Sequence, residues 1–200
     1  MIKKLIDKLK SKIKLHDRIW DAIEIVIYAA IALIVAQLVI NFVAQRTIVD
    51  GDSMYDTLED GDNIIVEKLS YTFGDIKRYD VVVFPYYDSI KGREVYYIKR
   101  IIGLPGETLQ IIDGCIYLLD DKTGDKKLLE EDYGYYTGGE PMEGFRASEP
   151  VHIPDGCYFV LGDNRNNSKD SRHIGLIQGK DILGKAWLRV YPFDKIKLVD

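Results

Sequence analysis

Histidine and cysteine are the scarce residues of this chain, with three of the first and two of the second. Cys115 and Cys157 match no zinc-ligand spacing, so no metal site is expected. Their separation leaves open whether they form a disulfide or remain two buried free thiols. A hydrolase usually takes its general base from histidine, yet His16, His152 and His173 stand in no pattern that suggests a triad. His152 precedes an expected strand and His173 sits in a polar loop, and both read as ordinary surface residues. A basic surplus is missing as well, since the formal net charge is -5. The cations that exist crowd the first eighteen residues, where Lys3, Lys4, Lys8, Lys10, Lys12, Lys14 and Arg18 face only Asp7 and Asp17. The acidic remainder excludes nucleic acid as a partner of the main domain. No internal repeat occurs. Apolar residues, in contrast, make up 46% of the chain, enough to build a core and to set aside a disordered chain.

From Ile25 to Ala44 the chain reads IVIYAAIALIVAQLVINFVA without a charge, and a helix needs about 20 such residues to cross a hydrocarbon core. The expected organisation is a basic cytoplasmic segment over 1–22, a transmembrane helix over 23–44 and an extracytoplasmic domain over 45–200. A buried core helix would show more of a polar face than Gln37 and Asn41 provide. A cleaved secretory signal would have an apolar region of about 7 to 15 residues and a small-residue cleavage site, which Val43-Ala44-Gln45 fits badly. Cytoplasmic flanks keep Lys and Arg; beyond the span come Asp50, Asp52, Asp56, Glu59, Asp60 and Asp62, so the main domain is expected outside. Leu5, Leu9 and Ile13 recur among the lysines, and residues 2–18 read either as an amphipathic helix on the inner leaflet or as a solvated basic tail.

Past residue 45 the pattern changes to alternation in short β-rich runs: Thr47 to Val49, Asn63 to Lys68, Val81 to Phe84, Val95 to Ile102, Thr108 to Ile112, Ile116 to Leu119, Cys157 to Leu161 and Ala186 to Tyr191. Turn signals such as Leu104-Pro105-Gly106-Glu107 separate them. The fold class expected is therefore mostly β behind one N-terminal transmembrane helix. Between about 120 and 150 the chain is charged and glycine-rich without periodicity, and reads as an insertion loop or small subdomain.

Three places carry residues able to do chemistry. Lys99 interrupts the strand VYYIKRII. An ordinary lysine, with a pKa near 10.4, is no base at neutral pH, but desolvation lowers that value by as much as about 3 to 5 units. By itself the segment reads more simply as Lys99 and Arg100 being edge-strand charges. Ser53, in VDGDSM, follows an expected strand; its glycine and aspartate neighbours alone say only that a turn is there. The run GDNRNNSKDSR from Gly162 to Arg172 reads as a dense hydrogen-bond network or as a well-capped surface turn. It is not a calcium loop, because Arg165, Ser168 and Ile174 stand where a ligand, a glycine and the bidentate glutamate belong. Asn166-Asn167-Ser168 fits the glycosylation pattern, which chance produces too often to use.

Taken in order, IVDGDSMYDTLEDGDNIIVEK, YDVVVF, YIKRIIGLPGETLQI, FVLGDNRNNSKDSRHIGLI and GKAWLRVYPF closely resemble the type I signal peptidases, in particular the small single-span form of Gram-positive bacteria. The resemblance covers more than half of the outer domain. It implies a signal-peptidase-like β catalytic domain, a membrane-bound serine endopeptidase with a Ser/Lys dyad, and no metal, nucleotide or other cofactor. Its partners would be preproteins whose signal peptides carry small residues before the cut, together with the lipid bilayer. Carried over by position, Ser53 is the nucleophile and Lys99 its base. Ser168 orients the lysine, and Asp163, Asp170 and Arg172 stiffen the loop. Val49, Met54, Leu58, Tyr97 and Ile98 form shallow substrate pockets.

Two departures from the family stand out. Asp56 occupies the place of the usual proline in SMxPTL, where loss of the fixed φ is expected to loosen the turn behind the nucleophile. Gly51 stands where other members place an oxyanion-hole serine, leaving the Ser53 N–H in need of another donor or water. Two other readings are a self-cleaving repressor-type Ser/Lys protease and a non-catalytic membrane-tethered assembly factor. The first needs an Ala-Gly or Cys-Gly dipeptide and a DNA-binding module, which this sequence does not show. Retention of both Ser53 and Lys99 argues against the second.

Overall fold

The computed structural model describes residues 20–38, 44–89, 91–120, 122–136, 141–143 and 145–199. Its first element, α1, spans Trp20–Leu38 and is long and apolar enough to cross a membrane. It starts three residues before the expected span of 23–44; residues 39–43 and the basic segment 2–18 lie outside the described residues, and Ala44 belongs to a strand.

The unit Ala44–Asp200 is built from two antiparallel sheets. In the larger, β1 (Ala44–Ile48), β2 (Asn63–Glu67), β3 (Val81–Asp88), β4 (Arg93–Gly103), β9 (Cys157–Leu161), β10 (Ile177–Gln178) and β11 (Gly184–Tyr191) run in the order β1-β2-β11-β3-β4-β9-β10, and β12 (Lys197–Leu198) pairs with β11. The smaller sheet joins β5 (Thr108–Ile112), β6 (Cys115–Leu119), β7 (Lys126–Leu128) and β8 (Val151–His152) in the order β7-β6-β5-β8. All eight strands expected from the sequence are present. The unexpected β7, β8, β10 and β12 are two or three residues each, too short to show alternation. The unit also carries two single-turn α-helices, α2 (Ser70–Phe73) and α3 (Ser171–Ile174).

Alternating apolar residues on the strands fill three clusters. One lies beneath the β1–β2 loop and contains Val49, Met54, Leu58, Ile64, Val83 and Ile98. A second joins residues of the two sheets, with Ile102, Leu109, Ile111, Ile116, Ile153 and Phe159. Gly103 marks how closely the sheets approach, since a Cβ there would stand 2.3 Å from Ile153 Cδ1. The third packs Val82, Phe84, Ile101, Val160 and Ile182 together. The charged stretch after β6 is no detached subdomain: β7 extends the small sheet, and Met142 is buried in the cluster between the sheets. Both cysteines are free thiols, but neither is fully buried as expected; Cys115 is exposed and Cys157 half-buried.

Candidate active site

Ser53 sits in the loop between β1 and β2. The loop is pinned at its base, where the Val49 N–H donates to the Asp62 carbonyl at 2.8 Å and the Gly61 N–H donates to the Val49 carbonyl at 3.0 Å. Gly51 takes φ +93°, a conformation glycine adopts without steric cost, and its N–H donates to Asp60 Oδ1 at 2.8 Å. Behind the serine the Leu58 N–H donates to the Met54 carbonyl at 2.8 Å, and both side chains are buried. The proline-less turn is thus closed by two apolar anchors, with exposed Asp56 between them.

Lys99 reaches this loop from β4. Arg100 is flanked by both β3 and β9, while Lys99 stands one residue before the β9 pairing begins; neither is an exposed edge charge, since they are 3% and 1% exposed. Lys99 Nζ is hydrogen-bonded to Ser53 Oγ at 2.8 Å, donates to the Ile98 carbonyl at 2.8 Å, and lies 5.0 Å from the centre of the Tyr97 ring. Burial is the largest influence on its amine and pushes the pKa down from 10.5 to about 8, against the pull of Asp170 and Asp163. Each of those carboxylates also has a guanidinium partner. Arg100 grips Asp163 through Nε at 2.8 Å and Nη2 at 2.6 Å, and Arg172 grips Asp170 through Nε and Nη2, both at 2.8 Å.

The run from Gly162 to Arg172 is the network alternative, not a surface turn: Asp163, Arg165, Asp170 and Arg172 are all buried. Asp163 accepts from Thr57 Oγ1 at 2.6 Å, and Asp170 accepts from the Gly162 N–H at 3.1 Å and caps α3. Asn164 donates to the Ser53 carbonyl through its backbone N–H and to the Asp52 carbonyl through Nδ2, both at 3.1 Å. Ser168, expected to orient the lysine, makes no hydrogen bond to it in this structure. Its buried Oγ has no hydrogen-bond partner among the described residues, and the second bond of Lys99 goes to the Ile98 carbonyl instead. The hydroxyl is packed against Gly162, where an added Cβ would meet it at 2.2 Å and the Ser53 carbonyl at 2.4 Å.

A groove of about 460 Å³ runs past Ser53 and Lys99 between the end of β1 and the first half of β4. Val49, Met54, Tyr97 and Ile98 line it as expected. Leu58 does not: it is fully buried in the cluster below. Sequence reasoning also missed Thr57, Arg100 and Asn164. The one legible signal was a second cation, Arg100, inside an otherwise apolar strand.

Known proteins resemble this chain along most of its length. The family model described as "Signal peptidase, peptidase S26" matches residues 22–191. Signal peptidase I of Bacillus caldolyticus is 38% identical over 159 residues, covering 76% of this chain and 82% of that one. Signal peptidase I T of Bacillus subtilis (strain 168) is 36% identical over 168 residues, covering 84% of each. A crystal structure of a signal peptidase I from Enterococcus faecalis V583 aligns at 30% identity and a TM-score of 0.38, covering 56% of this chain and 96% of that one.

Proposed function

We propose, from the premise that the chain belongs to the signal peptidase family, peptidase S26, that it cleaves preproteins with Ser53 as nucleophile and Lys99 as general base. The enzyme removes signal peptides. The observation that carries the dyad is a buried lysine amine 2.8 Å from the serine hydroxyl. In its neutral form the amine accepts the Ser53 Oγ proton as that oxygen attacks the scissile carbonyl. The ammonium then protonates the leaving amine, an ester to Ser53 remains, and Lys99 takes a proton from the water that releases it.

The charged intermediate supports a part for Ser168. An ammonium has three N–H donors, and the Ile98 carbonyl and Ser53 oxygen accept two. The unpartnered Ser168 hydroxyl, packed against the same serine's backbone, is the acceptor for the third. The Ser53 N–H and a water serve as oxyanion donors, since Gly51 offers no hydroxyl and its N–H is held by Asp60.

Substrate enters as an extended strand. Among the described residues β1 pairs only with β2, and β4 pairs with β9 only from Arg100 onward, so both present unpaired backbone edges to the groove. Packing of Val49, Met54, Tyr97 and Ile98 leaves room for small side chains, which favours Ala-x-Ala before the cut. The apolar helix α1 supports membrane anchoring, with the basic N-terminus inside and the catalytic unit outside.

Cleavage of a purified preprotein by the wild type, Ser53→Ala, Lys99→Ala and Lys99→Arg tests the dyad. All three variants are expected to lose turnover. Activity surviving in Lys99→Arg, whose guanidinium cannot act as a base, would eliminate Lys99 from the chemistry.

A further inference from the structure

The dyad makes no use of the charged segment after β7, yet Glu131, Tyr133 and Tyr135 all contact the loop that follows β9. Tyr135 holds that loop by its backbone: its N–H donates to the Asp163 carbonyl at 2.8 Å, and its carbonyl accepts from the Arg165 N–H at 2.8 Å. Between these two tethers stands Asn164, the residue that donates to the Asp52 and Ser53 carbonyls. Glu131 receives Arg165 as a fork, with Nη1 to Oε2 at 2.5 Å and Nη2 to Oε1 at 2.7 Å. The Tyr133 ring lies 4.1 Å from the Arg100 guanidinium and 5.7 Å from that of Arg165, and its hydroxyl donates to Glu131 Oε1 at 3.0 Å. Burial and the Glu131 charge keep that hydroxyl protonated, and therefore a donor. Tyr135 also packs edge-on against Tyr55, two residues past the serine, with ring centres 4.8 Å apart.

We infer that Glu131, Tyr133 and Tyr135 are positioning residues for the nucleophile, acting through Asn164. The inference rests on the reading that Ser53 is that nucleophile. Two donors of one residue, bonded to successive carbonyls, fix the tilt of the peptide that carries the serine. Asn164 can set that tilt only while its own backbone is immobile, and Tyr135 and Glu131 immobilise it on either side. The Tyr133 ring links this brace to the Arg100–Asp163 pair, so the support under Ser53 and the support beside Lys99 are one cluster. Displacement of a reacting group by a fraction of an ångström leaves binding intact and slows chemistry.

The test uses the full-length enzyme in detergent with a preprotein substrate, measuring kcat, KM and the pH profile. Glu131→Gln, Tyr133→Leu and Tyr133→Phe are compared with exposed Lys127→Ala as control. Glu131→Gln and Tyr133→Leu are expected to lower kcat by about tenfold to a hundredfold with KM little changed. The acid limb of the profile, set by Lys99 on the other face of β4, is expected to stay in place. Tyr133→Phe, which retains the ring, loses less, and Lys127→Ala behaves as wild type. Folded variants with wild-type kcat overturn the inference, as does a fall in kcat that merely tracks the folded fraction by circular dichroism. Should Glu131→Gln fail to fold, the graded pair at Tyr133 decides. Cleavage by Ser53→Ala, run alongside, would instead remove the nucleophile itself.

Discussion

Lys99 and Arg100 are adjacent, both buried, and treated in opposite ways. Alternation along β4 sends neighbouring side chains to opposite faces, so Arg100 meets the Asp163 carboxylate while Lys99 meets a hydroxyl and a carbonyl. The arginine is ion-paired and the lysine is made easier to deprotonate. If neutral Lys99 is the base, kcat/KM rises with pH and levels off above about 8, the value set by its burial; a pH profile with no limb in that region would contradict the assignment. The same burial costs stability. Because the folded chain holds this proton less tightly than the unfolded chain, the unfolded chain binds more protons between about 8 and 10.5, and stability rises with pH through that window. Lys99→Met is therefore expected to abolish cleavage and yet raise stability by about 1–3 kcal/mol at neutral pH, read by denaturant melts.

The elements that meet at the site do so at van der Waals limits. Gly162, directly after β9, has no room for a Cβ beside Ser168 Oγ and the Ser53 carbonyl. Gly162→Ala should cost about 1–3 kcal/mol through overpacking and reduce kcat more than KM, measured by thermal melts and initial rates. Such contacts explain what could and could not be foreseen. The apolar run Val81 to Phe84 announced its strand because both faces are buried, Val81 and Val83 in one cluster and Val82 and Phe84 in another. Ser53 and Lys99 were legible only through resemblance, since neither the turn nor the strand around them has a local signature of catalysis. Leu58 was misjudged because sequence order does not tell which apolar residue of a turn faces a groove and which the core. Arg100 was misjudged because β9, the strand that covers it, comes 57 residues after Arg100, at Cys157. The 120–150 segment had no periodicity to read, because Glu131 and Tyr133 are held there by charge and ring contacts rather than by a pleat.

At the scale of the molecule, all three apolar clusters and every site residue fall within Ala44–Asp200. A fragment beginning at Ala44 is therefore expected to fold and to cleave detergent-dispersed preprotein with a kcat near that of the full chain. On membrane-embedded preprotein it should be slower, because the anchor raises effective concentration without adding contacts. Loss of all turnover on the dispersed substrate would give α1 a part in the site itself. One further property follows from the strand order. Serine and lysine are both synthesised in the first half of the chain, but β11, which joins β2 to β3, is nearly the last segment made. Until residues 184–191 slot between the two halves of the sheet, hydroxyl and amine lack the strand that joins β2 to β3. A copy clipped before Gly184 is thus expected to lose most of its cleavage, which the initial rate of a chain ending at residue 183 would measure.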